Sequence, residues 1–370
     1  MSDSVPTRQS LSDQVAALLR DEILQGMSAG EKLPPEPPLA ERFGVSIGTV
    51  RAGLATLVTE GLLERRQGSG TYVTDLSARR HVALSIGVDI ADPELSYFFR
   101  RIFQKVREFF FERDITCHEY VFRFSDHDTY RLRGICDSLI DDIEQGLVSC
   151  LVTLAVPGYD QLRERLAPKA VPWVALGGLT HRHRVDLDHV DMLNQGLACL
   201  GEMGCKRLGV FDWGTELRDR ELRQAVDVPE DDPWFDFRVP ACLQPGAAFK
   251  TFCSLWNSRS DRPDGLLICE DTIYREVVSA VLKLGIRVPD DLVLVATENK
   301  GAKIHYPVPT IRMTFDPDTV ARELGHMAVG MMDGDESGNH CVFVPFEWTG
   351  RDEVGRLRRS AGADKERLAR

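Results

Sequence analysis

Apolar residues recur at helical spacing near the start of the chain, alternate briefly, and then gather into short blocks separated by amphipathic stretches. Leu11, Val15, Leu18, Leu19 and Ile23 form a stripe that predicts a helix capped by Ser10 and ended by Gly26 and the turn Ser28-Ala29-Gly30. Leu39, Ala40 and Phe43 predict a second, shorter helix closed by Gly44, which supplies the positive φ of a helix end. Ser46 caps the third helix, its hydroxyl placed to accept from the N–H of Gly48 or Thr49. Val50, Leu54, Leu57 and Val58 lie on its inner face and Gly61 ends it. Two helices joined by a short turn containing Gly form the geometry that places a recognition helix in a major groove. From Leu62 to Val73 apolar and basic residues alternate around Gln67-Gly68-Ser69-Gly70. That pattern predicts a hairpin with a glycine tip, a wing beside the recognition helix.

The polar, basic stretch Asp75–Arg80 reads as a linker, and beyond it the pattern changes. VALSIGVDI (82–90) is a nearly continuous apolar run, the mark of a parallel strand buried on both faces. A helix is predicted over 94–113, a strand at 115–121, a helix over 126–144, a strand at 148–154, a helix at 159–167 and a strand at 171–176. RLGVF (207–211), GLLIC (265–269) and DLVLV (291–295) repeat the strand pattern, with helices between them such as Thr272–Leu284. Strands alternating with helices of this length predict an α/β fold with doubly wound parallel sheets. Two such units, one to Asp186 and one over Asn194–Pro309, imply two lobes with a cleft at the carboxyl ends of the strands.

Composition narrows the class without changing that picture. With 43% hydrophobic and 28% charged residues, the chain has the balance of an ordinary globular protein. No run of 18 apolar residues occurs and no basic-then-apolar leader opens the chain, so a cytoplasmic location without membrane insertion is expected. Nine cysteines without a C-x-x-C spacing read as buried reduced thiols. The net charge is −12, and residues 1–80 hold nine Lys/Arg against ten Asp/Glu. A broad basic surface is therefore excluded. DNA affinity has to come from local placement of Arg51, Arg65 and Arg66, and should be modest, strongly salt-sensitive and dependent on a dimer.

The segment from about Ser10 to Val73, with LP.E..LAE.FGVS..TVR..L..L..EGL.ERRQGSGTYV, resembles the winged helix-turn-helix of the GntR family of regulators. The resemblance implies sequence-specific binding of a homodimer to palindromic double-stranded operator DNA. It assigns Ser46, Gly48, Thr49 and Arg51 to the recognition helix contacts and Arg65, Arg66, Gly68 and Gly70 to the wing. Two positions depart from the family pattern: Pro37 and Ile47 stand where DNA-contacting arginines are usual.

Residues 82–354 resemble the effector domain of LacI-type regulators, which shares the fold of periplasmic sugar-binding proteins. The resemblance rests on the order of segments such as IGVDIADPELSYFFRRIFQKVREFFFERD, NQGLACLGEMGCKRLGVF and PDGLLICEDTIYREVVSAVLKLGIRVPDDLVLVATEN. It implies a small-molecule effector, a sugar or sugar-like metabolite, bound between the lobes. The division expected is a DNA-binding domain over 1–76, a linker over 77–81 and an effector domain over 82–354. Lobe one should span about 82–189 and 312–335, lobe two about 190–311 and 336–354. The charged stretch 355–370 is expected to be disordered.

Tyr97 and Phe98, at the carboxyl end of a strand, are candidates to stack on the effector, with core packing as the alternative, and Phe99 is assigned to the core. Asp271 is placed to cap the helix from Thr272, and either it or Glu270 can accept from a ligand. Glu298 matches the position of a ligand-binding acid in related effector domains, against a solvated loop carboxylate. Arg218 and Arg220 are candidates for a charged clamp, against an exposed helix face; the usual Arg-x-x-Gly-Phe is missing after Phe211. His181, His183 and His189 lie on a polar crossover without a carboxylate at ligand spacing, so no metal is assigned. No G-x-S-x-G, P-loop or H-E-x-x-H occurs, and no cofactor or enzymatic activity is expected. The expected function is an effector-controlled transcriptional regulator, a repressor. The rival is a small-molecule binding protein whose DNA-binding domain has decayed, motivated by Pro37 and Ile47.

Overall fold

The computed structural model describes residues 10–75, 80–87, 90, 95–121, 123–124, 132–134, 137–154, 163, 166, 171–177, 181–212, 216–228, 232–236, 246–335 and 340–358. The first helix, α1 (Leu11–Gly26), opens on a capping box. Ser10 Oγ accepts from the Asp13 N–H and Asp13 Oδ2 accepts from the Ser10 N–H, each at 3.2 Å. Its buried face is Val15, Ala16, Leu19 and Ile23, while Leu11 and Leu18 are 59% and 53% exposed. At 3.6 residues per turn those two leucines lie on the flank away from Ala16, which corrects the stripe read from sequence. Gly44 at φ 64° ends α2 (Glu36–Phe43). Ser46 caps α3 (Ile47–Thr59), accepting from the Thr49 N–H at 3.1 Å. Gly53 lets α3 cross α1 closely: a Cβ there would sit 3.0 Å from the Ser12 carbonyl oxygen. Strands β1 (Leu63–Arg66) and β2 (Gly70–Val73) pair antiparallel with Arg66 opposite Gly70, completing the wing.

Lobe one is built on a parallel sheet. Its elements in chain order are β3 (His81–Ile86), α4 (Tyr97–Phe111), β4 (Cys117–Val121), the short antiparallel pair β5 (Arg123–Phe124) and β6 (Leu132–Gly134), α5 (Asp137–Glu144), β7 (Val148–Leu154), β8 (Trp173–Leu176) and β9 (His183–Asp186). Lobe two follows with α6 (His189–Glu202), β10 (Leu208–Phe211), α7 (Glu216–Ala225), β11 (Phe235–Asp236), α8 (Ala247–Ser258), β12 (Gly265–Ile268), α9 (Asp271–Lys283), β13 (Val293–Asn299) and β14 (Thr310–Phe315). Then α10 (Pro317–Met332) returns to pack on α4, and β15 (His340–Phe343) joins β9 at the edge of the first sheet. Finally β16 (Phe346–Thr349) pairs antiparallel with β14, and a helix α11 covers 351–358. The strand orders are β15-β9-β8-β7-β3-β4 and β11-β10-β12-β13-β14-β16. Each lobe has its own core, the first around Val82, Leu84, Val106 and Phe110, the second around Phe211, Phe252, Leu267 and Tyr274.

Several expectations are revised. His81 opens a strand and is not part of the linker, whose residues 77–79 lie outside the described ones. Residues 312–315 belong to the sheet of lobe two, and 340–343 to that of lobe one, because β14 pairs with β13 and β15 with β9. The stretch 183–186, read as a polar crossover, is a strand whose His183 and Val185 are buried in alternation with Arg184 and Asp186. The strand at 291–295 runs instead from Val293 to Asn299. The start of the tail is ordered as well: helix continues to 358, and Arg358 Nη1 donates to Cys205 Sγ at 3.0 Å. Residues 359–370, most of the predicted helix at 159–167, and 126–131 and 135–136 of that at 126–144 lie outside the described residues, while 132–134 form strand β6 and not helix, because they pair with β5. Among the described residues no helix is long and apolar enough to cross a membrane.

Candidate DNA-binding surface and effector cleft

The start of α3 presents Ser46, Ile47, Gly48 and Arg51 to solvent, with Thr49 half-buried among them. The Ser46 and Thr49 hydroxyls are 2.8 Å apart, so each orients the other. A Cβ on Gly48 would meet nothing nearer than Ser46 Oγ at 3.7 Å, so the glycine is not required by packing and leaves the backbone bare on the outer face. Arg51 does not stand alone. Its Nη2 and Nε donate to Glu36 Oε2 at 2.8 and 3.1 Å, and Arg65 Nη2 of the wing lies 3.7 Å from Glu36 Oε1. The Arg51 guanidinium thus holds the Glu36 carboxyl below the usual carboxylate range, with Arg65 adding to the effect. One carboxylate at the first turn of α2 therefore ties the recognition helix to the wing. On the wing itself Arg66 pairs with Glu64 and lies over the Tyr72 ring, 4.4 Å from its centroid. Gly68 and Gly70, at φ 70° and 134°, make the exposed tip in a backbone region that residues with a Cβ rarely adopt.

Between the lobes a cavity of about 130 Å³, room for a small molecule, is lined on one side by Ser96, Phe98, Phe99 and Leu187. The other side supplies His189, Met192, Asp212, Cys269, Glu270, Thr297, Asn299 and Phe315. These positions share an origin, since nearly all close a strand or open the helix after it. Ser96 caps α4 by accepting from the Phe98 N–H at 3.3 Å, which fixes Phe98 and Phe99 edge to face, 5.4 Å between centroids. Three phenylalanines make the apolar wall, while two carboxylates, an amide, two hydroxyls and an imidazole supply polar contacts. No lysine or arginine lines this cavity among the described residues.

Of the residues singled out from sequence, Phe98 and Glu270 line the cavity, and Phe99, assigned to the core, does so too while packing against the core of lobe one. Glu270, not Asp271, caps α9: its Oε2 accepts from the Thr272 and Ile273 N–H groups at 2.6 and 3.0 Å. Burial and the neighbouring Asp271 push its pKa up to about 8. Asp271 sits just behind, 3% exposed; its Oδ2 accepts from Asn299 Nδ2 at 3.2 Å and its Oδ1 has no hydrogen-bond partner. Tyr97, a candidate to stack on the effector, does not line the cavity; its hydroxyl reaches across to lobe two, where it would be 2.7 Å from a Cβ built on Gly301.

Glu298 does not face the cavity. Strand β13 alternates, so Thr297 and Asn299 point inward and Glu298 points away, accepting from Thr314 Oγ1 at 2.8 Å and Arg312 Nη1 at 3.4 Å. Arg220 is exposed on α7 and does not line the cavity; the Arg218 side chain lies outside the described residues. Arg223 of that helix is buried, and it donates to the carbonyls of Asp232 and Phe235. The three histidines of the crossover go separate ways. His181 bonds the Trp173 carbonyl through Nε2 at 2.9 Å, and burial lowers its pKa. His183 stacks with His340, 5.7 Å between centroids, and His189 alone faces the cleft. Sequence reading missed His189, Asp212, Thr297 and Asn299. Asp212 was findable, because it directly follows the strand RLGVF.

These features define a winged helix-turn-helix joined to a two-lobed α/β domain with a cavity between its lobes. Residues 11–73 match the family described as bacterial regulatory proteins, gntR family, and residues 217–352 match a periplasmic binding protein-like domain. The chain thus couples a GntR-type helix-turn-helix to a periplasmic-binding-protein-like domain. Among curated proteins it is 44% identical over 80 residues to an HTH-type transcriptional regulator, Rv0494, of Mycobacterium tuberculosis, covering 21% of this chain and 33% of that one. It is 46% identical over 63 residues to the mannosyl-D-glycerate transport/metabolism system repressor MngR of Escherichia coli, covering 17% of this chain and 26% of that one. The chain therefore matches only about a quarter to a third of the length of these relatives. A solved structure described as a transcriptional regulator CelR-cellobiose complex aligns over 92% of this chain and 98% of its own, with TM-score 0.57 and 16% identity. That likeness is one of fold.

Proposed function

We propose that this chain is a sequence-specific DNA-binding transcriptional regulator, a repressor, controlled by a sugar or sugar-like effector bound between its lobes. The observation that carries the reading is the pairing in one chain of an exposed recognition helix and wing with a cleft walled by Phe98, Phe99 and Phe315 and edged by Asp212, Glu270 and Asn299. Flat aromatic faces suit the C–H faces of a sugar ring, and carboxylates and an amide suit its hydroxyls. The relatives add support, since one is named for mannosyl-D-glycerate metabolism and a structural neighbour holds cellobiose.

The chain acts as a homodimer in the cytoplasm, on a palindromic operator whose half-sites lie about 34 Å apart. An effector that prefers one closure of the lobes shifts the spacing of the two recognition helices. Linkage then makes operator and effector change each other's affinity by the same factor. The test is an electrophoretic mobility shift on genomic fragments, followed by titration of sugars with and without the selected operator. A retained fragment and an effector affinity that differs between the two titrations support the reading. Equal effector affinities refute gating, and the absence of any retained fragment favours the decayed-domain alternative that Pro37 and Ile47 suggest.

A further inference from the structure

The opposite end of lobe one from the cleft carries a second group of chemistry-bearing side chains. His81 is the first residue of β3 and His118 the second of β4, and Ala83 stands opposite His118 in the parallel register. The two imidazoles are stacked with centroids 3.9 Å apart and planes at 27°. Asp142 comes over them from α5, its Oδ2 lying 3.7 Å from His81 Nε2. We propose that His81, His118 and Asp142 bind one divalent transition-metal ion of the zinc or nickel type.

Three arguments carry the assignment. One is distance: a ligand atom from each of the three residues lies within 4.8 Å of the other two. Two atoms bound at about 2.1 Å to one ion can be at most about 4.2 Å apart, so closing the site needs a shift of under about 1 Å. His118 is exposed, so it can make that turn at the expense of its stacking on His81. The next is the donor set. Two imidazoles and one carboxylate suit zinc, nickel or cobalt, whereas calcium and magnesium prefer oxygen donors alone. The last is the surrounding layer. The Tyr120 hydroxyl donates to Asp142 and accepts from the His81 Nε2–H at 2.7 Å, so it holds both side chains at the site, and an ion would take up Nε2 in place of that proton. Cys117, next in sequence to His118, is not a competing ligand. It packs against the core on the other face of β4.

The position gives the site a consequence. His81 is the residue at which the segment from the DNA-binding domain enters the sheet, and Arg80 Nε donates to the Gly146 carbonyl at 3.5 Å. The Leu24 side chain of α1 packs on that same Gly146, in the turn just after α5. An ion holding β3, β4 and α5 together therefore stiffens the face on which the DNA-binding domain rests, without touching the effector cleft.

The experiment is calorimetric titration of Zn²⁺, then Ni²⁺, into the metal-stripped full chain, with the melting temperature read alongside. One ion per chain and a raised melting temperature are expected, since an ion bound only by the folded state stabilises it. His118→Ala, at an exposed position, and Asp142→Asn should each weaken binding at least about tenfold and abolish the rise, while Cys117→Ser should leave both unchanged. Absence of binding overturns the proposal, as does equal affinity in wild type and both variants. A thiolate charge-transfer band on Co²⁺ loading overturns it too. The same holds if Asp142→Asn lowers the melting temperature but not the metal affinity, which would make the cluster a hydrogen-bonded brace only. None of these readouts uses DNA or a sugar, so they stand apart from the regulatory reading.

Discussion

Arg51→Ala is the sharpest test of the recognition surface. The side chain is 62% exposed and fastened to Glu36 by a pair of hydrogen bonds, so it is already extended along the outer face of α3 when DNA arrives. Because the ion pair faces solvent, its loss should leave the melting temperature almost unchanged. The effect on DNA is larger. Loss of a bidentate base contact weakens binding by about 5- to 150-fold per copy, and a dimer carries two copies, so a loss of about 25-fold or more is expected. A phosphate contact leaves a different signature: the slope of log affinity against log salt falls by about 0.9 for each contact removed, close to 2 for the dimer. Fluorescence anisotropy on the operator at several salt concentrations separates the two. Unchanged affinity together with an unchanged slope would refute the assignment. Glu36→Gln refines it, because it frees Arg51 and Arg65 and removes a negative charge beside them; non-specific binding should tighten while the preference for operator falls.

Glu270 binds a proton more readily in the fold, with a pKa of about 8 against the 4.5 of an unperturbed glutamate, so between those values the folded chain holds more protons than the unfolded one. Stability should therefore fall as pH rises through that window, and Glu270→Gln should flatten the melting temperature against pH. Glu276 accepts from the N–H groups of Gly246, Ala248 and Phe249 at 2.6, 2.8 and 3.2 Å, capping α8 from a neighbouring helix. Glu276→Ala strands those donors and should cost about 1–3 kcal/mol in chemical denaturation. In effector titrations Phe98→Ala and Asn299→Ala should each weaken sugar binding about tenfold, on the order of 1.4 kcal/mol, while Glu298→Gln leaves it unchanged. A loss with Glu298→Gln would mean that the inward and outward faces of β13 have been misjudged.

The DNA-binding domain was almost wholly legible in the sequence because its signals are local: the caps Ser10 and Ser46, the stop at Gly44 and the glycine tip of the wing each act within a few residues. What was misread depends on distant pairing. β9 is written in polar residues and was passed over, yet it is a strand because β8 and β15 flank it on both sides. Glu298, just after DLVLV, is assigned to the cleft because it matches the position of a ligand-binding acid in related effector domains. The strand continues to Asn299 alongside β14, and each added residue reverses the face presented. Asp271 lost the cap to Glu270 for a similar reason, since the helix begins one residue earlier than its apolar pattern suggests and the longer side chain reaches back to its first free N–H groups. The Arg51–Glu36–Arg65 tie was invisible for want of any pattern linking positions 15 and 29 residues apart.

One short stretch, 340–349, supplies an outermost strand to each of the two sheets: β15 covers β9, and three residues later β16 covers β14. The lobes are thus stitched shut by the same thread. Cleavage ahead of position 340 would uncover a row of unpaired backbone groups on both lobes at once, each a template for pairing with another chain. Shortened forms should consequently fail as a whole and self-associate, with neither lobe surviving as an independent binding module. Proteolytic removal of the DNA-binding domain at the opposite end carries no such penalty for the sheets.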